Sequence, residues 1–247
     1  MTTNGDRRLV LWDIDLTLID ARGFGKDWYS RALAEVTGEQ LRTMPETAGR
    51  TELAIAGDVL ERHGVPVDES SIERIFTALA AVVSADRTAL SRGGSVLPGA
   101  EAALGALAEM PEFVQTAVTG NLPSMAFVKL DTFGLHRYLD FEIGGFGTDS
   151  AHRHDLIAAA VAKAGDKHGT TFAPEDVVVV GDTPHDVVGA LRSGAVAVGV
   201  ATGGSGEDEL REAGAHVVLE DLADTEAVLA ALRFRTGARP QPGPPES

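Results

Sequence analysis

Apolar residues fall along the chain in two rhythms. Short runs at Leu9 to Ile14, Val114 to Val118, Phe141 to Phe146, Val177 to Val180, Ala195 to Val200 and His216 to Leu219 predict buried strands. Between them, from residue 97 onward, apolar positions recur at helical spacing. Leu104, Leu107 and Met110 share one face; Leu156, Ile157, Ala160, Val161 and Ala164 share a second; Val187, Val188 and Leu191 share a third. Strands alternating with helices predict an α/β fold, a doubly wound parallel sheet with helices on both sides.

The segment 20–92 breaks this alternation, because no convincing strand lies in it. Trp28 to Val36, then Leu53, Ala56, Val59 and Leu60, then Ile72, Ile75, Phe76, Leu79, Val82 and Val83 all repeat at helical spacing. A helical stretch inserted behind the first strand predicts a small cap over 20–92, with the core built from 1–19 and 93–233. Gly23 and Gly25 mark one crossing; Gly93, Gly94, Pro98 and Gly99 mark the other. Such glycines make loops, or hinges on which the insert moves. Pro240, Pro242, Pro244 and Pro245 predict a disordered tail over 234–247.

Composition narrows the chemistry. The 247 residues correspond to ~1.6 domains of ordinary size, with an ordinary 44% hydrophobic and 23% charged content. The net charge of −16 disfavours long-range attraction to nucleic acid or anionic membranes. An anionic substrate would need local neutralisation by a metal ion or a helix N-terminus. With no cysteine, disulfides, thiolate catalysis and Cys-ligated metals are excluded. The N-terminal residues show no signal-peptide pattern, and the longest mostly apolar window, Ile75 to Ala85, is far short of a bilayer span. A cytoplasmic protein is expected.

Four stretches carry candidate chemistry. Asp13-Ile-Asp15-Leu-Thr17 ends the first strand, so two carboxylates point to one side where open α/β sheets bind ligands. Like charges so close need a cation or a proton between them; otherwise they form a solvated acidic turn. Val118-Thr119-Gly120-Asn121 follows another strand, and Pro123 is placed to open a helix whose free N–H groups attract anions. An ordinary strand-to-helix turn would look the same. Gly181-Asp182-Thr183-Pro184-His185-Asp186 also joins strand to helix, with two carboxylates four apart. Helix capping explains one of them well and two less well. Before a helix expected near Asp155, Arg153 offers a cation between His152 and His154. Two histidines without a third ligand read as a solvated loop.

The order of these motifs resembles the haloacid dehalogenase-like (HAD) hydrolase superfamily, over roughly residues 9–232. Within it the chain is similar, loosely, to phosphoglycolate-phosphatase-type members. The resemblance implies a Rossmann-like core with a C1-type cap and a Mg²⁺-dependent phosphatase acting on a small phosphorylated metabolite. By position it implies Asp13 as nucleophile and Mg²⁺ ligand. Asp15 becomes the general acid/base, offering its backbone carbonyl to the metal. Thr119, Gly120 and Asn121 would hold phosphoryl oxygens, and Asp182 and Asp186 the metal. The family's third motif is a Lys, often Lys-Pro; here Arg153 is the nearest match, with catalytic and phosphate-binding roles. Lys129 and Lys163 are the alternatives, both inside predicted helices and expected to be solvated.

Rival readings remain open. Dehalogenases of this superfamily lack the second Asp of the first motif, and Asp15 is present. A phosphomutase of the β-phosphoglucomutase type shares core and cap. A receiver-like signalling domain also phosphorylates an Asp, but the insert and Asp15 argue against it. Gly203-Gly204-Ser205-Gly206 has the spacing of no nucleotide-binding loop and reads as a turn into a helix. Arg22, Phe24, Arg50, Thr51 and Glu52 are polar or aromatic candidates for substrate selection, more readily explained as surface residues.

Overall fold

The first strand, β1 (Arg8–Trp12), is buried along its whole length. A strand can be so only at the centre of a sheet covered on both faces. The computed structural model describes residues 7–235. In chain order the elements after β1 are β2 (Ile19–Asp20), α1 (Phe24–Thr37), α2 (Glu52–Arg62), α3 (Glu69–Ala85), α4 (Arg87–Gly93), β3 (Ser95–Val96), α5 (Ala100–Ala108) and β4 (Phe113–Thr119). The second half holds α6 (Pro123–Thr132), β5 (Gly145–Phe146), α7 (Arg153–His168), β6 (Val177–Gly181), α8 (Pro184–Arg192), β7 (Val196–Val200), α9 (Glu207–Glu212), β8 (Val217–Leu219) and α10 (Thr225–Leu232).

Among the described residues one parallel sheet runs in the order β5-β4-β1-β6-β7-β8. Side-chain alternation along β1 divides the core. Val10 and Trp12 pack with α5, α6 and α10, while Leu9 and Leu11 pack with α7 and α8. The chain therefore winds up one side of β1 through β4 and β5, then crosses to β6 and winds up the other. The C-terminal ends of β1, β4 and β6 meet where that direction reverses, the ligand-binding place in open α/β sheets. Arg8, 4% exposed, uses its buried guanidinium to hold the far end of the chain. Its nitrogens donate to the carbonyls of Leu232 (2.5 Å), Phe234 (2.8 Å) and Glu175 (3.0 Å).

The run Phe141 to Phe146, expected as a strand, is a 3₁₀ turn over Phe141–Ile143 followed by the two-residue β5. It lies at the sheet edge and touches β4 only at Val118–Gly145 and Thr119–Phe146. The insert α1–α4 has its own apolar cluster, including Trp28, Leu33, Val59 and Leu79, which extends onto Leu122 and Met125 at the start of α6. The chain leaves and re-enters the core through an antiparallel ribbon, Ile19 facing Val96 and Asp20 facing Ser95. The Pro-rich segment from residue 236 lies outside the described residues.

Candidate active site

Behind β1 the chain turns at once. Asp13 N–H donates to Val180 O of β6 (2.8 Å), and Ile14 O accepts from Leu18 N–H (2.9 Å) and Ile19 N–H (3.1 Å). Leu16 sits at φ 62°, left-handed backbone that costs a side-chain-bearing residue about 1–2 kcal/mol. It is held there by its own N–H on Ile19 O (2.7 Å) and by Thr202 Oγ1 donating to its carbonyl (2.5 Å). This bend sends Asp13 and Asp15 into one cavity of about 450 Å³ towards different partners.

Asp13 joins the first group. Its Oδ1 accepts from Arg153 Nη2 (2.6 Å), and Arg153 also forms an ion pair with Asp186. Asp186 Oδ2 accepts from Thr183 Oγ1 (2.7 Å) and Thr183 N–H (3.2 Å), the capping box that starts α8. Capping and site contact are thus met by one carboxylate. Asp182 Oδ1 accepts from Thr17 Oγ1 (3.2 Å). Oxygens of Asp13, Asp182 and Asp186 lie within 4.8 Å of one another, all buried. Gly203 makes room for them: a Cβ there would sit 1.8 Å from Asp182 Oδ2.

One arginine cannot neutralise three buried carboxylates. Burial, offset in part by Arg153 and reinforced by Asp186 and Asp15, raises Asp13 to about 7. Burial and then the neighbouring Asp13 and Asp186 raise Asp182 to about 8. Arg153 is held firmly charged, because Asp186 and Asp13 outweigh the cost of its burial. Three hard oxygen donors short of positive charge fit a divalent cation such as Mg²⁺ better than a soft metal.

Asp15 joins the second group. Lys129 Nζ donates to its Oδ1 (2.8 Å) and Oδ2 (2.7 Å) and to Asn121 Oδ1 (2.6 Å). Asn121 Nδ2 donates to Asp15 Oδ2 (2.7 Å) and to Thr119 Oγ1 (2.8 Å). The Thr119-Gly120-Asn121 loop runs under the insert: Glu52 N–H donates to Gly120 O (2.7 Å), and a Cβ on Gly120 would sit 2.0 Å from Arg50 O.

Asp13, Asp15, Thr119, Gly120, Asn121, Arg153 and Asp182 all line the cavity, and Asp186 backs it through Arg153. Two expectations need correction. Lys129 is not solvated but 5% exposed and bound to Asp15, because α6 is covered on one face by the core and on another by the insert. Arg153 does not precede its helix; it is the first residue of α7, with His152 as N-cap. Lys163 is away from the site, donating to Gly144 O (2.9 Å) and Asp149 (3.1 Å). His152 and His154 stack on each other at 5.8 Å, outside the carboxylate cluster. Among the described residues no helix is long and apolar enough to cross a membrane.

Residues 151–225, from Arg153 through Asp182 and Asp186, match the HAD-hydrolase-like family. Over those residues the chain is similar to haloacid dehalogenase-like (HAD) hydrolases. The protein named Probable phosphatase IndB, from Dickeya dadantii (strain 3937), is 25% identical to this chain over 227 residues, 91% of this chain and 94% of that protein. A hydrolase from Pseudomonas syringae superposes with a TM-score of 0.64 at 22% identity, over 91% of this chain and 98% of its own. A predicted phosphoglycolate phosphatase from Haemophilus somnus 129PT gives 0.62 at 16% identity, over 93% and 100%. These two structures share the HAD fold with this chain.

Proposed function

We propose that this HAD-type phosphatase is a Mg²⁺-dependent phosphomonoesterase of small phosphorylated metabolites, working through a phosphoryl group carried on Asp13. The observation that carries the reading is the separation of two carboxylates in one cavity. Asp13 lies with Asp182, Asp186 and Arg153, where charge is to be neutralised; Asp15 lies with Lys129, Asn121 and Thr119, where a proton can be handled. Asp13, Asp182 and Asp186, with the Asp15 carbonyl, would hold Mg²⁺, which supplies positive charge against the phosphate dianion.

Asp13 attacks phosphorus as a bond to the leaving oxygen breaks. Asp15 gives that oxygen its proton, then takes one from the water that attacks the phosphoryl group and frees Asp13. Thr119 Oγ1, the Gly120 N–H and Asn121 hold the phosphoryl oxygens, and Arg153 keeps Asp13 aimed at them. Residues 20–92 would act as a lid moving on the glycines of the two crossings, a reading supported by the Glu52–Gly120 hydrogen bond (2.7 Å) that joins them to the core. The substrate class suits a cytoplasmic enzyme, with no nucleic-acid or membrane partner.

The test is an acid quench followed by intact mass. With p-nitrophenyl phosphate and Mg²⁺, Asp15→Asn accumulates a phosphoryl adduct that maps to Asp13, while Asp13→Asn forms none. Exhaustive chelation abolishes turnover and Mg²⁺ restores it. An adduct elsewhere, or full activity after chelation, sinks the proposal. Product analysis separates the runner-up, since a phosphomutase returns an isomerised sugar phosphate instead of free phosphate. A receiver-like module would keep its phospho-Asp for minutes or longer.

A further inference from the structure

A second wall of the cavity is built from Trp28, Tyr29, Met44 and Ile55 of the insert and Met125 of α6. One acidic residue is buried in that wall. Glu52, the first residue of α2, is 8% exposed, and its backbone is fixed by the bond to Gly120 O (2.7 Å). Its carboxyl accepts from the Tyr29 hydroxyl, and burial pushes both the carboxyl and the phenol up from their usual ranges.

The cations near Glu52 are committed elsewhere. An ammonium has three N–H groups, and those of Lys129 meet Asp15 Oδ1 (2.8 Å), Asp15 Oδ2 (2.7 Å) and Asn121 Oδ1 (2.6 Å). Arg22 is bound to Asp20, with Nε at 2.8 and 3.0 Å from its two oxygens. Arg50 is bound to Asp58 (2.9 Å). Lys26 stands on the exposed rim. The buried part of the wall therefore offers an incoming alcohol one acidic, hydrogen-bond-accepting group and no spare positive charge.

We infer that Glu52 selects the leaving group: the site takes phosphomonoesters whose alcohol presents a hydrogen-bond donor, a hydroxyl or an ammonium, and turns away alcohols bearing a second anionic group. This rests on the phosphomonoesterase reading above and names its substrate class. An anionic leaving group would be stripped of water beside a carboxyl with no cation to receive it. A hydroxyl or ammonium would find an acceptor already held in place by Tyr29.

Three esters of similar size test this directly: 2-phosphoglycolate, 2-hydroxyethyl phosphate and O-phosphoethanolamine, compared by kcat/KM with Mg²⁺. The hydroxyl and ammonium esters are expected to exceed 2-phosphoglycolate by at least about tenfold, since like charges set face to face across a desolvated contact discriminate strongly. Glu52→Gln draws that ratio towards one. Tyr29→Phe, which leaves the carboxyl in place, keeps the preference. Ratios are taken within each variant, so a reduced folded fraction cancels. A wild-type preference for 2-phosphoglycolate, or an unchanged ratio in Glu52→Gln, overturns the inference while leaving the phosphatase reading intact. No phosphate from any of the three, nor from p-nitrophenyl phosphate, overturns the reading and the inference with it.

Discussion

Arg153→Met removes the one cation that touches two members of the buried carboxylate group. Its Nη2 lies 2.6 Å from Asp13 Oδ1, and the same guanidinium pairs with Asp186. Arg153 and Asp13 side chains are 8% and 9% exposed, so water cannot take over the lost contacts without opening the site. Removing one partner of a buried pair costs about 3–5 kcal/mol, because it leaves charge without compensation. At roughly 2–4 °C per kcal/mol for a chain of this size, the melting temperature should fall by about 6–20 °C. The assay is thermal and urea unfolding with EDTA at about pH 7.5, where Asp13 and Asp182 begin to ionise in the folded protein. Asp186→Asn placed on top of Arg153→Met removes one orphaned charge and should recover part of the loss. A single variant within about 1 kcal/mol of wild type, or no recovery in the double variant, would refute the account of Arg153 as the compensating charge.

Two further outcomes are expected. Asp13 and Asp182 have folded-state pKa values raised to about 7 and about 8 by burial, so their contribution to stability is complete below the usual aspartate range and is lost as pH rises through those values. In the proposed reading Mg²⁺ would take the place of the lost protons, so its thermal stabilisation should be greater near pH 8 than near pH 5, and an equal or reversed effect by scanning calorimetry would contradict this. Gly120→Ala puts a Cβ 2.0 Å from Arg50 O, forcing the 50–52 segment off the Thr119-Gly120-Asn121 loop. Turnover of p-nitrophenyl phosphate should drop by about 10²-fold with the far-ultraviolet circular dichroism unchanged, whereas wild-type turnover would show that this contact is dispensable.

What the sequence made legible follows from how each signal is written. The strands β1, β4, β6 and β7 are apolar runs because both faces of the sheet are covered, and the acidic or Thr-Gly-Asn ends of β1, β4 and β6 stand out against that background. The position of Lys129 is harder to see. Lysine is common on helix faces, and only its alignment with Leu122 and Met125, seven and four positions before it, places it in an apolar stripe. That stripe gains meaning once the insert is known to lie on α6. Gly203 is similar: nothing in Gly203-Gly204-Ser205-Gly206 says that Asp182 occupies the space of its missing side chain. The edge strand β5 is too short for any period to show.

The placement of β1 governs when the molecule can become active. Among the described strands β1 comes first in chain order yet lies between β4 and β6, and Arg8 waits for carbonyls at Leu232 and Phe234. The helices of the insert are local and can form early, but β1 gains its neighbours only after long loops have closed, a slow step for any chain rich in distant contacts. Asp13 meets Arg153 140 positions later in sequence. Truncated products of translation or proteolysis that stop before α7 carry Asp13 without Arg153, Asp182 and Asp186. The arrangement ties assembly of the carboxylate cluster to the closing of these long loops.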